Sequence, residues 1–251
     1  NFLKSSLKPG FGREIEGISE IRKKNFKKIV NIIKSFDKNN KLKILEIGSG
    51  NGLFIKECEN QKIDITGSEA DDEQYLKLKE NFTNILKIDL PLDKKKRIDI
   101  DKYDYVVFND VFEHLQDLNL ILIQLKNFLN DEGKVLINIP SSNGTIYKFS
   151  EILNLIGIST FYNRLWQKDL SSPHLSYFNK YNLEMLFKKH NYELIHSDTL
   201  NSIDKNNFER LNSTIKNKFF CYVLTCLLFF YFYLQKILPK DCIFHIYKLK
   251  D

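Results

Sequence analysis

The chain has 251 residues, of which 43% are hydrophobic, and a formal net charge of +6. This length suits one α/β domain with appended helices, and the composition is typical of a folded soluble protein. The lysines are scattered among acidic residues, so the positive charge indicates a solvated surface rather than a nucleic-acid partner. The four cysteines form no CxxC pair, which excludes a recognisable zinc site or disulfide framework and favours a cytoplasmic protein.

Helices and strands are predicted to alternate through the first 140 residues, because stretches with helical spacing of apolar residues alternate with short apolar runs typical of strands. Helices are predicted at 13–36, from Leu53 onward, at 71–81 and at 117–129, and strands at 43–47, 62–68, 84–89, 103–108 and 134–139. This alternation indicates right-handed βαβ units in a doubly wound, parallel sheet.

The alternation stops after Pro140. A long insertion is predicted at 141–174, helical around 147–156, followed by a helix at 181–190 and last strands at 192–196 and 242–249. We therefore predict a single domain, 1–251, with four parts. They are an N-terminal helical cap (1–40), a cofactor-binding core (41–140), an insertion or lid (141–180) and the C-terminal helices with the last two strands (181–251).

A glycine-rich turn follows the first predicted strand. Gly48 and Gly50 permit a tight turn and a close ligand approach at the start of a helix, whose free N–H groups point at the ligand. Glu69 ends the second strand, where a carboxylate can accept hydrogen bonds from both hydroxyls of a ribose. The GxGxG spacing differs from the GxGxxG of dinucleotide enzymes. Glu46 precedes it, and there an acid can orient the loop and face the ammonium group of a cofactor.

Five segments carry a family resemblance: LEIGSGNG (45–52), ITGSEADD (65–72), ILKIDL (85–90), YDYVVFNDVFEHL (103–115) and GKVLINIP (133–140). In this order they resemble the motifs of the class I S-adenosylmethionine-dependent methyltransferases. The EH-containing fourth segment and the segment 173–195 are similar to the ubiquinone-type, small-molecule subgroup. The resemblance implies a Rossmann-like α/β fold. Its seven-stranded sheet is mostly parallel, with helices on both faces, an antiparallel last strand and helical insertions.

The resemblance implies S-adenosylmethionine as cofactor and S-adenosylhomocysteine as product. The residues that it implies for cofactor binding are Glu46, Gly48, Ser49, Gly50, Asn51, Gly52, Glu69, Ala70, Asp89, Leu90, Asn109 and Asp110. Among them, Glu69 would hold the ribose and Asp89 the adenine amino group. Arg22 of the first helix could meet the carboxylate of the cofactor, although a solvated arginine is the more ordinary interpretation.

Two histidines are candidate catalytic bases. Methyl transfer requires alignment of the reacting groups, and an oxygen acceptor must also lose a proton. His174 lies in the loop after the insertion and His114 follows the fourth strand; each could instead have a structural role. The DxxEH pattern formed by Asp110, Glu113 and His114 also resembles the ExxEH of ubiquinone O-methyltransferases, which is associated with a divalent ion. Because Asp replaces the first Glu, we expect no metal.

An apolar run, Phe219–Leu234, has 16 residues without a charge and is flanked by lysines. As a helix it would be about 24 Å long, shorter than the ~30 Å hydrocarbon core of a bilayer. A buried or dimer-forming helix is one interpretation. A helix lying in the interface at the inner face of a membrane is the other.

The sequence predicts methyl transfer to a small-molecule acceptor. O-methylation of a sugar or of a capsule or surface-polysaccharide precursor, including a phosphoramidate decoration, is the first hypothesis; a quinone or a lipid-linked acceptor is the second. The Asn-Asp-Val-Phe at 109–112 differs from the N/D-P-P-Y of nucleic-acid-methylating enzymes, so no nucleic-acid partner is expected. Two other classes stay open: an NAD-dependent oxidoreductase and a non-catalytic nucleoside-binding scaffold.

Overall fold

A seven-stranded sheet forms the centre of the protein. The structure, a computed structural model, describes residues 16–37, 41–93, 101–204, 208, 211–212 and 215–250. The strands are β1 (Lys43–Ile47), β2 (Asp64–Glu69), β3 (Ile85–Lys87), β4 (Tyr103–Asn109), β5 (Leu129–Pro140), β6 (Tyr192–Leu200) and β7 (Cys242–Leu249). Their order across the sheet is β3-β2-β1-β4-β5-β7-β6.

Parallel pairing joins the first five strands, and only β7 runs antiparallel to its two neighbours, β5 and β6. The predicted fold, a mostly parallel Rossmann-like sheet with an antiparallel last strand, is confirmed. The strand order changes direction between β1 and β4. Open α/β sheets bind their ligands in the crevice at the carboxyl ends of the two strands where this change occurs. A ligand site is therefore expected at the ends of β1 and β4.

Helices cover both faces of the sheet. They are α1 (Glu16–Phe36), α2 (Leu53–Asn60), α3 (Asp72–Asn81), α4 (Leu118–Leu125), α5 (Thr145–Leu155), α6 (Thr160–Leu165), α7 (Lys180–Lys189) and α8 (Lys218–Leu234), with a 3-10 turn at Phe112–His114. Successive residues of a strand point to opposite faces, and in β4 they enter two cores. Val106 and Phe108 pack with α4 and α7, whereas Tyr105 and Val107 pack with α1 and α2.

Several predicted boundaries are wrong, among them the start of β5, predicted at 134, and sheet pairing explains the two largest differences at helix and strand ends. The predicted helix 117–129 ends at Leu125, because Leu129 already pairs with Tyr103 and starts β5. Strand β6 continues past the predicted His196 to Leu200, which pairs with Cys242 of β7. The insertion forms two helices, α5 and α6, rather than one. Residues 13–15 of the first predicted helix lie outside the described residues, and the predicted division into four parts stays a prediction.

Helix α8 contains the apolar run. Cys221 is its one fully buried side chain, so α8 is not a core helix. Among the helices within the described ranges, none combines the length and apolarity needed to cross a bilayer.

Candidate active site

The glycine turn leaves β1 at Ile47 and turns sharply toward α2. Gly48 and Gly50 have φ angles of 71° and 54°, in the left-handed region that favours glycine. A Cβ at Gly48 would lie 2.7 Å from Val111 Cγ2, so the backbone there has no room for a side chain. A Cβ at Gly50 would meet nothing within 4 Å. The loop is therefore closed on one side and open on the other, where a ligand can approach its backbone.

Two serines fasten this turn to the neighbouring strand. Ser49 N donates to Ser68 O at 2.8 Å, and Ser68 N donates to Ser49 Oγ at 3.1 Å. The hydroxyl of Ser68, which is fully buried, donates in turn to Glu46 O at 2.9 Å. Ser68 was not among the predicted site residues, because its role depends on the register between β1 and β2.

Glu69 lies at the end of β2, as predicted, beside the glycine turn. Its Oε2 accepts from Gly50 N at 3.1 Å and its Oε1 from Ala70 N at 3.0 Å. Each carboxylate oxygen can accept further hydrogen bonds, so a pair of ligand hydroxyls fits here. Asp89, two residues beyond β3, is exposed, and Leu90 beside it is buried.

A buried polar chain crosses the carboxyl ends of β1, β4 and β5. Glu46 is 2% exposed, and its Oε1 accepts from Asn109 Nδ2 at 2.9 Å. Asn138 Nδ2 extends the chain to Asn109 Oδ1 at 3.3 Å. Asn138 was missed, although an asparagine in an otherwise apolar strand is a detectable signal.

The second oxygen of Glu46, Oε2, has no hydrogen-bond partner among the described residues. Burial raises the pKa of this carboxyl to about 7, and the hydrogen bond from Asn109 opposes that rise. Burying an unpartnered carboxylate oxygen is unfavourable. A ligand ammonium group would supply the missing donor and the missing charge, so the residues present fit the cofactor that the sequence predicts.

Helix α1 reaches this crevice through an ion pair. Arg22 Nη2 lies 3.2 Å from Asp110 Oδ2, and the two side chains are 44% and 33% exposed. Arg22 is therefore paired rather than only solvated. Asp110 follows β4 with a φ of 54°, which turns the chain toward the 3-10 turn.

The two candidate bases lie against each other beside that turn. The loop after the insertion is held there because Leu175 N and Ser176 N both donate to Glu113 O, at 2.8 and 3.1 Å. The rings of His114 and His174 are 4.6 Å apart. His114 Nδ1 lies 3.0 Å from Pro173 O; since a carbonyl only accepts, Nδ1 carries the proton and Nε2 is left as an acceptor.

His174 has a different environment. Gln167 Nε2 lies 2.9 Å from its Nε2, and its buried Nδ1 has no partner among the described residues. Burial and the neighbouring His114 lower its pKa to about 4, so this ring is neutral at neutral pH. Burial also raises the pKa of Glu113, whose Oε1 lies 4.0 Å from His174 Nε2, well above its ordinary value.

Three side chains beside the 3-10 turn each have one potential metal-ligand atom, and these atoms lie within 4.8 Å of one another. The residues are Glu113, His114 and His174. The DxxEH pattern contributes two of these three residues. Asp110, the first residue of that pattern, turns toward Arg22 instead. The expectation that the protein uses no metal stays a prediction.

An aromatic cluster adjoins the histidines and connects them to the insertion. The ring of Tyr177 lies 4.4 Å from that of Tyr147 in α5, 5.2 Å from Trp166 and 5.4 Å from His174. No periodic pattern of residues along the chain indicates this cluster. Aromatic faces and the neutral imidazole of His174 together suit a small organic molecule better than a highly charged one.

This sheet order, with a glycine turn and an acid at the end of β2, defines a Rossmann-like methyltransferase. A family model described as a methyltransferase domain matches residues 18–197, and the chain belongs to that family. An uncharacterized methyltransferase of Alkaliphilus oremlandii (strain OhILAs) is 29% identical over 142 residues. The match covers 54% of this chain and 61% of that protein, so the chain matches less than two thirds of its relative's length.

Solved structures of methyltransferases share the fold. A SAM-dependent methyltransferase from Archaeoglobus fulgidus is 17% identical, with a TM-score of 0.56 over 94% of this chain and 96% of that one. Magnesium protoporphyrin IX methyltransferase from Synechocystis PCC 6803, with bound SAH, is 11% identical, with a TM-score of 0.57 over 97% and 90%.

The family match confirms the predicted methyltransferase class, and the solved structures confirm the Rossmann-like fold. They favour this class over the NAD-dependent oxidoreductase.

Proposed function

We propose that this protein transfers the methyl group of S-adenosylmethionine to an oxygen atom of a small organic acceptor, in the crevice at the ends of β1 and β4. The observation that carries the proposal is the buried Glu46 carboxylate, whose Oε2 has no partner among the described residues, next to a glycine turn open at Gly50. The unpartnered oxygen of Glu46 can accept a hydrogen bond from an ammonium group, and the open turn at Gly50 lets a ligand come close to the backbone.

Each end of the cofactor has residues suited to hold it. Glu69 would accept hydrogen bonds from both ribose hydroxyls while its present bonds to Gly50 and Ala70 keep it in place. Glu46 would hold the ammonium group. Arg22, already over the crevice through Asp110, would meet the carboxylate. Asp89, exposed beyond β3, is left for the adenine amino group.

S-adenosylmethionine, held by Glu46, Glu69 and Arg22, would supply a methyl group that its sulfonium activates for displacement by an acceptor oxygen. His114 would take the acceptor proton on Nε2, because Pro173 O fixes the other nitrogen as a donor. His174, with its pKa lowered to about 4, would hold a proton poorly and would serve to position the acceptor beside His114.

The acceptor that we propose is a hydroxyl of a sugar or of a surface-polysaccharide precursor, a phosphoramidate decoration included. Aromatic faces such as Tyr177, next to His174, support it because they can stack on a sugar ring. A quinone or a lipid-linked acceptor is the second candidate. The exposed apolar side chains of α8 favour it.

Calorimetric titration with S-adenosylhomocysteine tests the cofactor site. We expect Glu69→Ala to weaken binding by roughly 3 kcal/mol, about 150-fold, because two hydrogen bonds to a charged group are lost. Glu80→Ala, an exposed acid on α3, is the matched control and should bind like the wild type. Equal affinity of the Glu69 variant, or preferential binding of NAD, would contradict the proposal.

Transfer of labelled methyl groups to a panel of sugars, nucleotide sugars and quinols tests the acceptor and the base. We expect His114→Gln to lower kcat by roughly 10²–10⁴-fold with S-adenosylhomocysteine affinity unchanged. His190→Gln, at the end of α7, is the control. An unchanged kcat in the His114 variant would remove this residue from the mechanism, and turnover of quinols alone would favour the second candidate acceptor.

A further inference from the structure

Helix α8 presents an apolar face to solvent along its whole length. Five large side chains of this face are between 59% and 82% exposed: Phe219, Tyr222, Leu227, Phe230 and, just beyond the helix, Ile237. Their spacing puts them on one side of the helix, opposite the buried Cys221. The outward face of a surface helix is ordinarily polar, and a contiguous apolar patch of this kind marks an interaction surface.

Helix α5 adds a second exposed apolar surface, and Asp241 ties the two helices together. Asp241 Oδ1 accepts from Ile146 N of α5, and its Oδ2 accepts from the Tyr231 hydroxyl of α8, both at 2.8 Å. Phe149 and Leu155 of α5 are 60% and 85% exposed. This same helix carries the Tyr147 ring that packs on Tyr177 beside the histidines. The apolar surface thus adjoins the acceptor side of the candidate active site.

Charge decides what covers this face. The segment from 215 to 240 has four lysines, at 216, 218, 236 and 240, and no acidic residue. A second copy packed on α8 would bring eight such lysines together without an acid of this segment to pair with them, which is unfavourable. Anionic lipid headgroups would pair with lysines at both ends of α8 while its apolar side chains enter the acyl boundary.

We propose that the outward face of α8 binds the surface of an anionic lipid bilayer, with the helix lying in the plane of the interface. The surface is separate from the crevice at β1 and β4, so the inference goes beyond methyl transfer and holds for any acceptor. It gives the protein a position at the membrane, with the acceptor side of the crevice near the lipid.

Vesicle flotation tests the proposal with vesicles of phosphatidylglycerol and phosphatidylcholine, or of phosphatidylcholine alone. We expect the wild type to float with the anionic vesicles and to be released by salt. Phe230→Gln combined with Ile237→Gln should weaken the binding roughly tenfold or more, because two large side chains no longer leave water. The matched control combines Leu76→Gln with Ile123→Gln, which are 61% and 54% exposed on α3 and α4, and should bind like the wild type.

Three results would overturn the proposal. They are equal binding of the wild type and the α8 variant, an absence of binding to either kind of vesicle, and a wild-type dimer that the α8 variant dissociates in analytical ultracentrifugation without any vesicle binding. Circular dichroism during heating shows that each variant is folded. Failure of the wild type to bind S-adenosylhomocysteine would concern the proposed function alone, because neither flotation nor this folding control depends on that ligand.

Discussion

At the scale of single residues, Glu46 shows how a site can be unfavourable for the empty fold and favourable for a complex. Its pKa in the folded protein is raised by burial from 4.5 to about 7. A raised pKa contributes stability at low pH that is lost as the pH rises through the folded value. The free protein therefore loses roughly 3 kcal/mol of stability between about pH 4.5 and 7 from this residue. A bound ammonium group requires the charged form.

The affinity for the cofactor should consequently increase as the pH rises, whereas the stability of the free protein decreases. We expect the Kd of S-adenosylhomocysteine to fall about tenfold for each unit that the pH rises toward 7, and to level off above, because binding releases one proton from Glu46. Glu46→Gln should bind more weakly at pH 8 and should show a flat profile. Calorimetry across this range measures both. A wild-type profile as flat as that of the variant would mean that Glu46 does not face the ammonium group.

Site residues that directly end or follow a strand could be predicted from the sequence. Gly48 and Glu69 were placed at the ends of the first two predicted strands, and the structure has them there. Asn138 and Ser68 were missed because their partners lie on other strands, and only the register across the sheet brings them together. The contact between His114 and His174 depends in the same way on the path of the insertion.

At the scale of elements, Asp241 holds three segments together at the start of β7. Its carboxylate accepts from Ile146 N at 2.8 Å, from the Tyr231 hydroxyl at 2.8 Å and from Ser202 Oγ at 2.9 Å, and the residue is 9% exposed. The bond to Ile146 also satisfies a free N–H in the first turn of α5. This arrangement explains why α5 and α8 stay together although each leaves apolar side chains exposed.

Asp241→Ala should lower the free energy of unfolding by roughly 3 kcal/mol, because partly buried donors on three segments lose the carboxylate that accepts from them. Denaturant unfolding measures the change. Asp101→Ala is the control: its carboxylate, 72% exposed, forms a surface ion pair with Lys43, and removing it should cost about 0–1 kcal/mol. A cost for Asp241→Ala no larger than that of the control would contradict the assigned role.

Element boundaries were predictable where local pattern and sheet pairing agree. The bounds of β1 and β7 were predicted to the residue, since each is a short apolar run between turn residues. The last turn of the predicted helix 117–129 was wrong because Leu125, Phe128 and Leu129 have the i, i+3, i+4 spacing of a helix, although only Leu125 lies in α4. Pairing of Leu129 with Tyr103 selects the strand. Such a selection is made by tertiary contacts, which a single sequence does not display.

At the scale of the whole molecule, the sheet depends on a strand that comes late in the chain. Strand β7 lies between β5 and β6, and Phe244, Ile246 and Tyr247 are fully buried. Deleting residues 242–251 should abolish cooperative unfolding and S-adenosylhomocysteine binding, because β5 loses a neighbour and both cores lose buried side chains. Circular dichroism during heating measures the effect. Deleting only 250–251 removes the bond from Lys250 N to Asn191 O and should leave the transition in place.

The place of β7 also sets an order of events during synthesis. The edge of β5 that pairs with β7 is complete when residue 140 leaves the ribosome, whereas its partner is complete only at residue 249. At about 5–20 residues per second, the ribosome needs roughly 5 to 20 s to make the intervening chain. During that interval Val135–Ile139 is an apolar strand edge without a partner, open to other nascent chains. Pairing of this edge with another chain is therefore a hazard mainly between the synthesis of residue 140 and that of residue 249.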